Sequence, residues 1–472
     1  MILAIGMFMD VLIFTIGFIL GDLYIQYFST IILYFLIVIF YTKKIKENVV
    51  LWAFLVSFGM FMFARILIRP IITGEWLWTK FTDELAQHTF LSLVIALVSI
   101  IVGNITSNYK LKAYNSKWDY FTNSKPTDEF LTVYLEKVAS ILFFVTIPFK
   151  LLYAVYTINF VRATTYSTQY LVGGSYYMPG WLDSLSRVHT ILFLIFLASL
   201  PSKRKTYFYF IVEISTIAIS LFGGNRFEFM CVSMLLFVYV WFREKNEEEE
   251  KWINARLIRV TILSVLGLMV MLQSVGIARG NQSATITNNY LLGFLDSMGY
   301  SVEIIPLGKK HQLHFFGDNV LYFWGPLRRI FQSFTGIGTL YSGQTVENAK
   351  YGYQFGGTLT YLESSWLYTV TGGGLGSSYI AELYHSFGYT GIAVFNLILG
   401  RMINKLEFKS SSNWLVRTIV LLILYNLFKM PRFNCWIWME DIISKVTILT
   451  IMGTYLISMF VFFSRPTKRG IH

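Results

Sequence analysis

Residues 1–41 read MILAIGMFMDVLIFTIGFILGDLYIQYFSTIILYFLIVIFY. Two apolar runs, each close to the roughly 20 residues that a bilayer-spanning helix needs, meet at Gly21-Asp22. The first has no basic segment ahead of it and no small-residue cleavage site. It therefore reads as a retained span rather than a removed leader. The same pattern recurs along the chain. Of 472 residues, 55% are hydrophobic and 14% charged, against roughly a quarter charged in soluble domains. Soluble cores stop growing near about 250–300 residues. The composition thus excludes a soluble enzyme, a disordered regulator and a disulfide-stapled secreted module. The fold class is all-α, a polytopic integral membrane protein.

About 12 transmembrane helices are predicted, near 1–20, 23–41, 49–68, 88–107, 138–160, 188–201, 207–222, 227–242, 260–277, 377–400, 414–430 and 442–463. With the N-terminus inside, the loops 42–48, 108–137, 202–206, 243–259 and 401–413 and the tail from Ser464 carry 22 of the 39 Lys and Arg; the outside loops carry 12. The inside loops are shorter in sum, so the bias in density is roughly three-fold, as the positive-inside rule requires. Both termini are predicted to be cytoplasmic. The net charge of +12 belongs to topology rather than to nucleic acid, which is not an expected partner. The run Glu247 to Glu250 reads as a solvated cytoplasmic face.

Three parts follow: residues 1–277 with spans one to nine, an extracytoplasmic segment 278–376, and residues 377–472 with the last three spans and a cytoplasmic tail. The middle segment is too long for a connector and is expected to have structure of its own. Its stretches Tyr290–Ile305 and Asn319–Phe334 are amphipathic and expected to lie on or dip into the outer leaflet.

Charged side chains at the outer surface are informative because membranes make them costly. The turn Gly223-Gly224-Asn225-Arg226-Phe227-Glu228 joins two spans with almost no loop, so Arg226 is held at the head-group level. Asn225 lies beside it, and Glu228 is placed to orient its guanidinium. Arg279 leaves span nine at the same depth. Arginine's planar fork suits bidentate contact with phosphate, although snorkelling to lipid phosphate explains each arginine alone.

The run Gly372-Gly373-Gly374-Leu375-Gly376-Ser377-Ser378-Tyr379-Ile380-Ala381-Glu382-Leu383-Tyr384-His385 opens a helix entering the membrane. Ser377 and Ser378 are N-cap candidates, and free N–H groups at a helix start form an anion site. Ser378, Glu382 and His385 fall at i, i+4 and i+7 on one face. Glu382 or His385 is the candidate general base, and Tyr384 is a further candidate for substrate contact. A plain turn and a hydrogen-bonded core histidine are the simpler alternatives. Met430-Pro431-Arg432 ends a helix and leaves Arg432 at the surface. Arg328, Arg329 and Glu363 of the long segment join the outer set.

No outward DxD platform, metal-ligand cluster, nucleophile elbow or P-loop appears, so no cofactor and no metal is expected. Cys231 and Cys435 are too few for a disulfide framework and read as packing residues. Within spans, Asp10, Arg65, Lys150, Glu213, Arg417, Lys429 and Lys445 are charged. Most lie near span ends, where snorkelling suffices; Glu213 is the exception and is expected to pair with a basic residue on a neighbouring helix.

The helix GSSYIAELYHSFGYTGIAVFNLILG, the GGNRFE turn and the MPRF hairpin together resemble bacterial oligosaccharide repeat-unit polymerases of the Wzy type over roughly residues 220–440. Some of these polymerases carry an Arg followed eleven positions on by a Gly. Here Arg279 is followed by Tyr290 and Arg329 by Leu340, so roles are not transferred by that pattern. The resemblance implies a GT-C-like glycosyltransferase of the bacterial plasma membrane. Its substrates would be undecaprenyl-diphosphate-linked oligosaccharides, with membrane lipids around it and chain-length regulator and flippase proteins as possible partners. Arg226, Arg279 and Arg432 would stabilise the leaving diphosphate, Glu382 ahead of His385 would serve as base, and the aromatic-rich loop would stack sugars. A lipid-linked glycan ligase shares the leaving group. A flippase is the alternative from another class, and the absence of internal repeats counts against it.

Overall fold

A computed structural model describes residues 2–118, 126–172, 178–224, 226–246, 251–254, 259, 267, 289–408 and 413–464. Every regular element among them is helical. The first eight long helices are α1 (Ile2–Leu20), α2 (Leu23–Lys43), α3 (Val49–Ile72), α4 (Asp83–Trp118), α5 (Pro126–Ala163), α6 (Gly180–Ala198), α7 (Lys203–Ser220) and α8 (Arg226–Asn246). The outer segment contributes α9 (Tyr290–Met298), α10 (Ile304–Lys310), α11 (Val320–Thr335) and α12 (Phe355–Glu363). The chain continues through α13 (Tyr379–Phe408), α14 (Trp414–Leu427) and α15 (Lys445–Phe463).

Nine of these, α1 to α7, α13 and α15, are long and apolar enough to cross a membrane. Of the three other expected spans, 227–242 falls in α8, 414–430 largely in the shorter apolar α14, and 260–277, apart from Gly267, outside the described residues. Two expected boundaries shift. The run at 188–201 is the end of a 19-residue helix that starts directly after Pro179, where a fixed φ suits a helix start. The cytoplasmic loop expected at 108–137 is helical at both its ends, because α4 continues to Trp118 and α5 begins at Pro126. The periodic polar residues there carry the helices past membrane length.

Packing follows side-chain size. α4 and α13 cross where Gly103 faces the Leu397 carbonyl and Gly400 faces the Ile100 carbonyl, and a Cβ at either glycine would collide with backbone. Small residues at such a crossing let two backbones approach, which lipid cannot drive by hydrophobicity. In α3, residues Gly59–Phe63 widen into a π turn, with the Tyr34 hydroxyl lying where a Cβ of Gly59 would sit. Such turns are found at functional sites; here it lies just below Arg65.

The outer segment is anchored to α3. Arg65 Nη1 donates to Asp296 Oδ2 (3.1 Å) and Nε to Glu303 Oε1 (2.6 Å). Arg69 Nε reaches Asp296 Oδ1 (3.0 Å), and Lys80 Nζ reaches Glu303 Oε2 (2.6 Å). The expectation that Tyr290–Ile305 lies in the leaflet is therefore corrected. Asp296, Glu303, Ile304 and Ile305 are buried, because two carboxylates inside an apolar stretch need cations that only the bundle offers. In Asn319–Phe334, Val320, Trp324, Phe331 and Phe334 of α11 are exposed at spacings that share a face.

Most charged residues within spans have partners rather than a path to the interface. Glu213 of α7 meets His189 Nε2 of α6 at 2.9 Å, as its sequence context led us to expect. Lys150 pairs with Glu228 (2.9 Å), Asp10 accepts from Ser29 (3.1 Å), Arg417 donates to the Ala198 carbonyl (2.6 Å) and Lys429 to Asn426 (2.8 Å).

Candidate active site

The glycine run behaves as a pivot. Gly372 (φ 71°) and Gly376 (φ 88°) are left-handed, which side chains disfavour. The run delivers Ser378 to the position just before α13 begins at Tyr379. Ser378 stands at the helix start, where its carbonyl accepts the Glu382 N–H (3.0 Å), but neither the Ser377 nor the Ser378 hydroxyl has a hydrogen-bond partner, so the expected side-chain cap is not formed.

The helix they open is broken. Gly388 has φ 66° and ψ −158°, a conformation open essentially to glycine alone. Tyr379–Phe387 is thus a half-helix, followed by the long membrane-crossing part of α13. Interrupted helices in membranes line cavities or sit against protein. Glu382 and His385 lie on this half-helix.

Ser378, Glu382 and His385 share one buried face, being 0%, 1% and 2% exposed. Glu382 Oε2 accepts the backbone N–H of Cys435 (3.0 Å), while Oε1 is buried with no partner. His385 sits among Phe315, Tyr322 and Phe355, with ring centroids 4.1, 5.1 and 5.6 Å away, and neither ring nitrogen has a partner. The simpler alternative of a hydrogen-bonded core histidine is not what this geometry gives. Buried polar groups are nearly always satisfied. Five such atoms, on Ser377, Ser378, Glu382 and His385, gather at the start of one helix, where a polar ligand would meet them.

Two elements close over this face. α11 is tied to the hairpin after α14, since Trp436 Nε1 donates to the Phe323 carbonyl (2.9 Å) and Trp324 stacks on Trp436 at 5.9 Å. The hairpin brings Cys435 to Glu382, and Arg432 three residues earlier. Glu440 of the hairpin is close enough to both Glu382 and Arg329 for their charges to interact. Neither Arg329 nor Arg432 forms an ion pair with a described carboxylate. Burial pulls both guanidinium groups below their ordinary pKa and pushes the Glu440 carboxyl above its own. Desolvated cations that lack a full counter-charge would gain from an anion.

The other expected residues are placed differently. Arg328 is exposed over the Tyr353 ring (5.2 Å). Glu363 accepts from His311 Nε2 (2.5 Å) and Lys310 Nζ (2.9 Å). Burial pushes its carboxyl up, but those two partners outweigh burial and hold it below its ordinary value. Tyr384 accepts from Lys309 Nζ (2.9 Å) and packs on His88 (4.2 Å). Glu228, expected to orient Arg226, receives Lys150 of α5. Asn225, Arg279 and the side chain of Arg226 lie outside the described residues.

Sequence reading missed five participants. The Cys435 backbone amide gives no signal in a sequence, and Cys435 itself read as packing, which its burial bears out. Phe315, Tyr322 and Phe355 are ordinary aromatics until brought around His385. Lys150 was visible only as an intramembrane charge, and its partner is 78 residues away.

Residues 2–464 match a protein-family model described as O-antigen polysaccharide polymerase Wzy. No curated protein and no solved structure matches the chain.

Proposed function

The chain belongs to the O-antigen polysaccharide polymerase Wzy family, and from that premise we propose where and how its outer face works. The protein is a polysaccharide polymerase, a multi-pass protein of the bacterial inner membrane acting on lipid-linked oligosaccharide repeat units. In our reading the lipid carrier is undecaprenyl diphosphate. The bond from the anomeric carbon of the growing glycan to its diphosphate breaks, and the diphosphate departs with the electron pair. A new bond forms to the non-reducing-end hydroxyl of an incoming unit, whose proton passes to Glu382, with His385 as the next candidate.

The carrying observation is the unpartnered Glu382 Oε1, buried beside the free serine hydroxyls on a half-helix. Its other oxygen is fixed by Cys435, so the free one is held in place. A fixed acceptor within hydrogen-bond reach of a hydroxyl is what a general base requires. Arg329 and Arg432, with Arg226 and Arg279, are proposed to take the diphosphate's charge, the term that matters most for such a leaving group. The aromatic groups over α13 would shelter the sugars. We further propose the three-part division at 277 and 376, about twelve spans in a GT-C-like arrangement, cytoplasmic termini, and chain-length regulator and flippase proteins as partners.

Purified full-length protein given one defined lipid-linked repeat unit decides among the readings. A ladder of products means polymerase. A single transfer to a different acceptor means ligase. No transfer, with units stranded on the inner leaflet of a deletion strain, means transporter.

A further inference from the structure

We propose that Lys309, His88, Tyr384 and Tyr389 form a second, separate phosphate-binding site at the outer interface, which takes the phosphate ester of the lipid-linked unit that is not cleaved. This rests on the polymerase reading, in which two diphosphate-bearing lipids meet and only one loses its glycan.

The site is built from three helices that share no sequence neighbourhood. Lys309 lies in the last turn of α10, His88 in the second turn of α4, and Tyr384 and Tyr389 on either side of the break of α13 at Gly388. Lys309 Nζ donates to the Tyr384 hydroxyl (2.9 Å) and lies 5.2 Å from the centre of that ring. The Tyr389 hydroxyl meets His88 Nδ1 at 2.8 Å. The rings of Tyr384 and Tyr389 are 4.8 Å apart, which makes the four residues one cluster.

Three features point to a ligand. First, Lys309 has no carboxylate partner among the described residues, whereas Lys310 next to it is taken by Glu363 and Arg65 and Lys150 are paired. Second, His88 is 4% exposed, yet its Nε2 has no partner. When Tyr389 donates to Nδ1, Nε2 carries the hydrogen. Third, Tyr384 is hydrogen-bonded to Tyr389, and the positions left open are all donors: two on the Lys309 ammonium and His88 Nε2–H. A set of donors around one cation calls for a ligand that only accepts and is negatively charged, which describes a phosphate ester. Lys309, Tyr384 and Tyr389 are half-buried, so the cluster is reachable. Lys310 nearby is offset by Glu363, and Glu84, whose charge reaches Tyr389, opposes the Lys309 cation.

The place in the fold fits two substrates. Glu382 and Tyr384 are two residues apart on the same half-helix, hence about 200° apart around its axis. The Glu382 face looks to the hairpin and α11, and the Tyr384 face to α10 and α4. One half-helix would then separate the reacting centre from the retained phosphate.

Two sources of such a phosphate are separated by experiment. The full-length protein is placed in nanodiscs of zwitterionic phosphatidylcholine, and bound lipids are counted by native mass spectrometry after adding undecaprenyl diphosphate or phosphatidylglycerol. Wild type is expected to hold two undecaprenyl diphosphates, and Tyr384→Phe and Lys309→Gln one, with at least ten-fold weaker binding of the second. Tyr384→Phe keeps the ring and guards against a folding defect. An unchanged count in both variants overturns the site. Displacement by phosphatidylglycerol at equal concentration assigns it to bilayer head groups and overturns its role for substrate. The polymerase reading fails differently: no ladder forms, while loss of one lipid in Lys309→Gln would persist.

Discussion

Asp296 and Glu382 are equally hidden carboxyl groups, 2% and 1% exposed, and the fold treats them in opposite ways. Asp296 is gripped by Arg65 and Arg69, and the neighbouring Glu303 by Arg65 and Lys80, so that cluster is closed. Glu382 has one backbone donor and one empty oxygen, amid two idle serine hydroxyls and an idle histidine. Burying an unmatched polar group costs stability. A fold that closes one cluster fully and leaves the other open is using the first for assembly and the second for binding. The closed cluster fastens the outer segment to α3, and the open one lies beneath that segment.

The comparison can be broken from the closed side first. Asp296→Ala takes one of two carboxylate partners from each of Arg65 and Arg69, which keep Glu303 and Glu75 respectively, and breaking a buried ion pair costs up to about 3–5 kcal/mol. A large fall in the melting temperature of the detergent-solubilised protein is expected, and an unchanged one would remove the clamp from the account. On the open side, Arg432→Gln is expected to lower the rate of chain extension by about 10²-fold, the usual cost of losing one charge-stabilising donor, at a near-normal melting temperature. Loss of folding together with activity would place Arg432 with the clamp instead. The platform beneath both regions is tested by Gly400→Val, whose side chain meets the Ile100 carbonyl. Overpacking of this kind costs about 1–3 kcal/mol, read as a lowered unfolding midpoint. The smallest effect sharpens the comparison most. Ser378→Ala deletes a hydroxyl that bonds to nothing, so stability should stay within about 0.5 kcal/mol, while product length distribution shifts if the hydroxyl contacts substrate.

Apolar length made the spans legible in the sequence, since a run such as residues 23–41 has few other uses. The face Ser378–Glu382–His385 was legible for the same kind of reason, because 3.6-residue periodicity is local. What escaped reading was non-local or conformational. Arg65 and Asp296 are 231 residues apart, so the burial of Asp296 and Glu303 could not be inferred, although two acids in an apolar stretch hinted at it. The break at Gly388 was hidden because one glycine inside an apolar helix usually costs little more than propensity. Lys309 and His88 carried no motif at all, and only the meeting of α10, α4 and α13 gives them a shared chemistry.

The most direct test of the central claim is the product ladder made from a defined lipid-linked repeat unit by purified Glu382→Gln protein, beside wild type of matched melting temperature. Gln keeps the shape and can still accept from Cys435, but it cannot take a proton. The account predicts a ladder reduced by at least about 10²-fold, the contribution of a general base, with folding intact. A full ladder at the wild-type rate would contradict it.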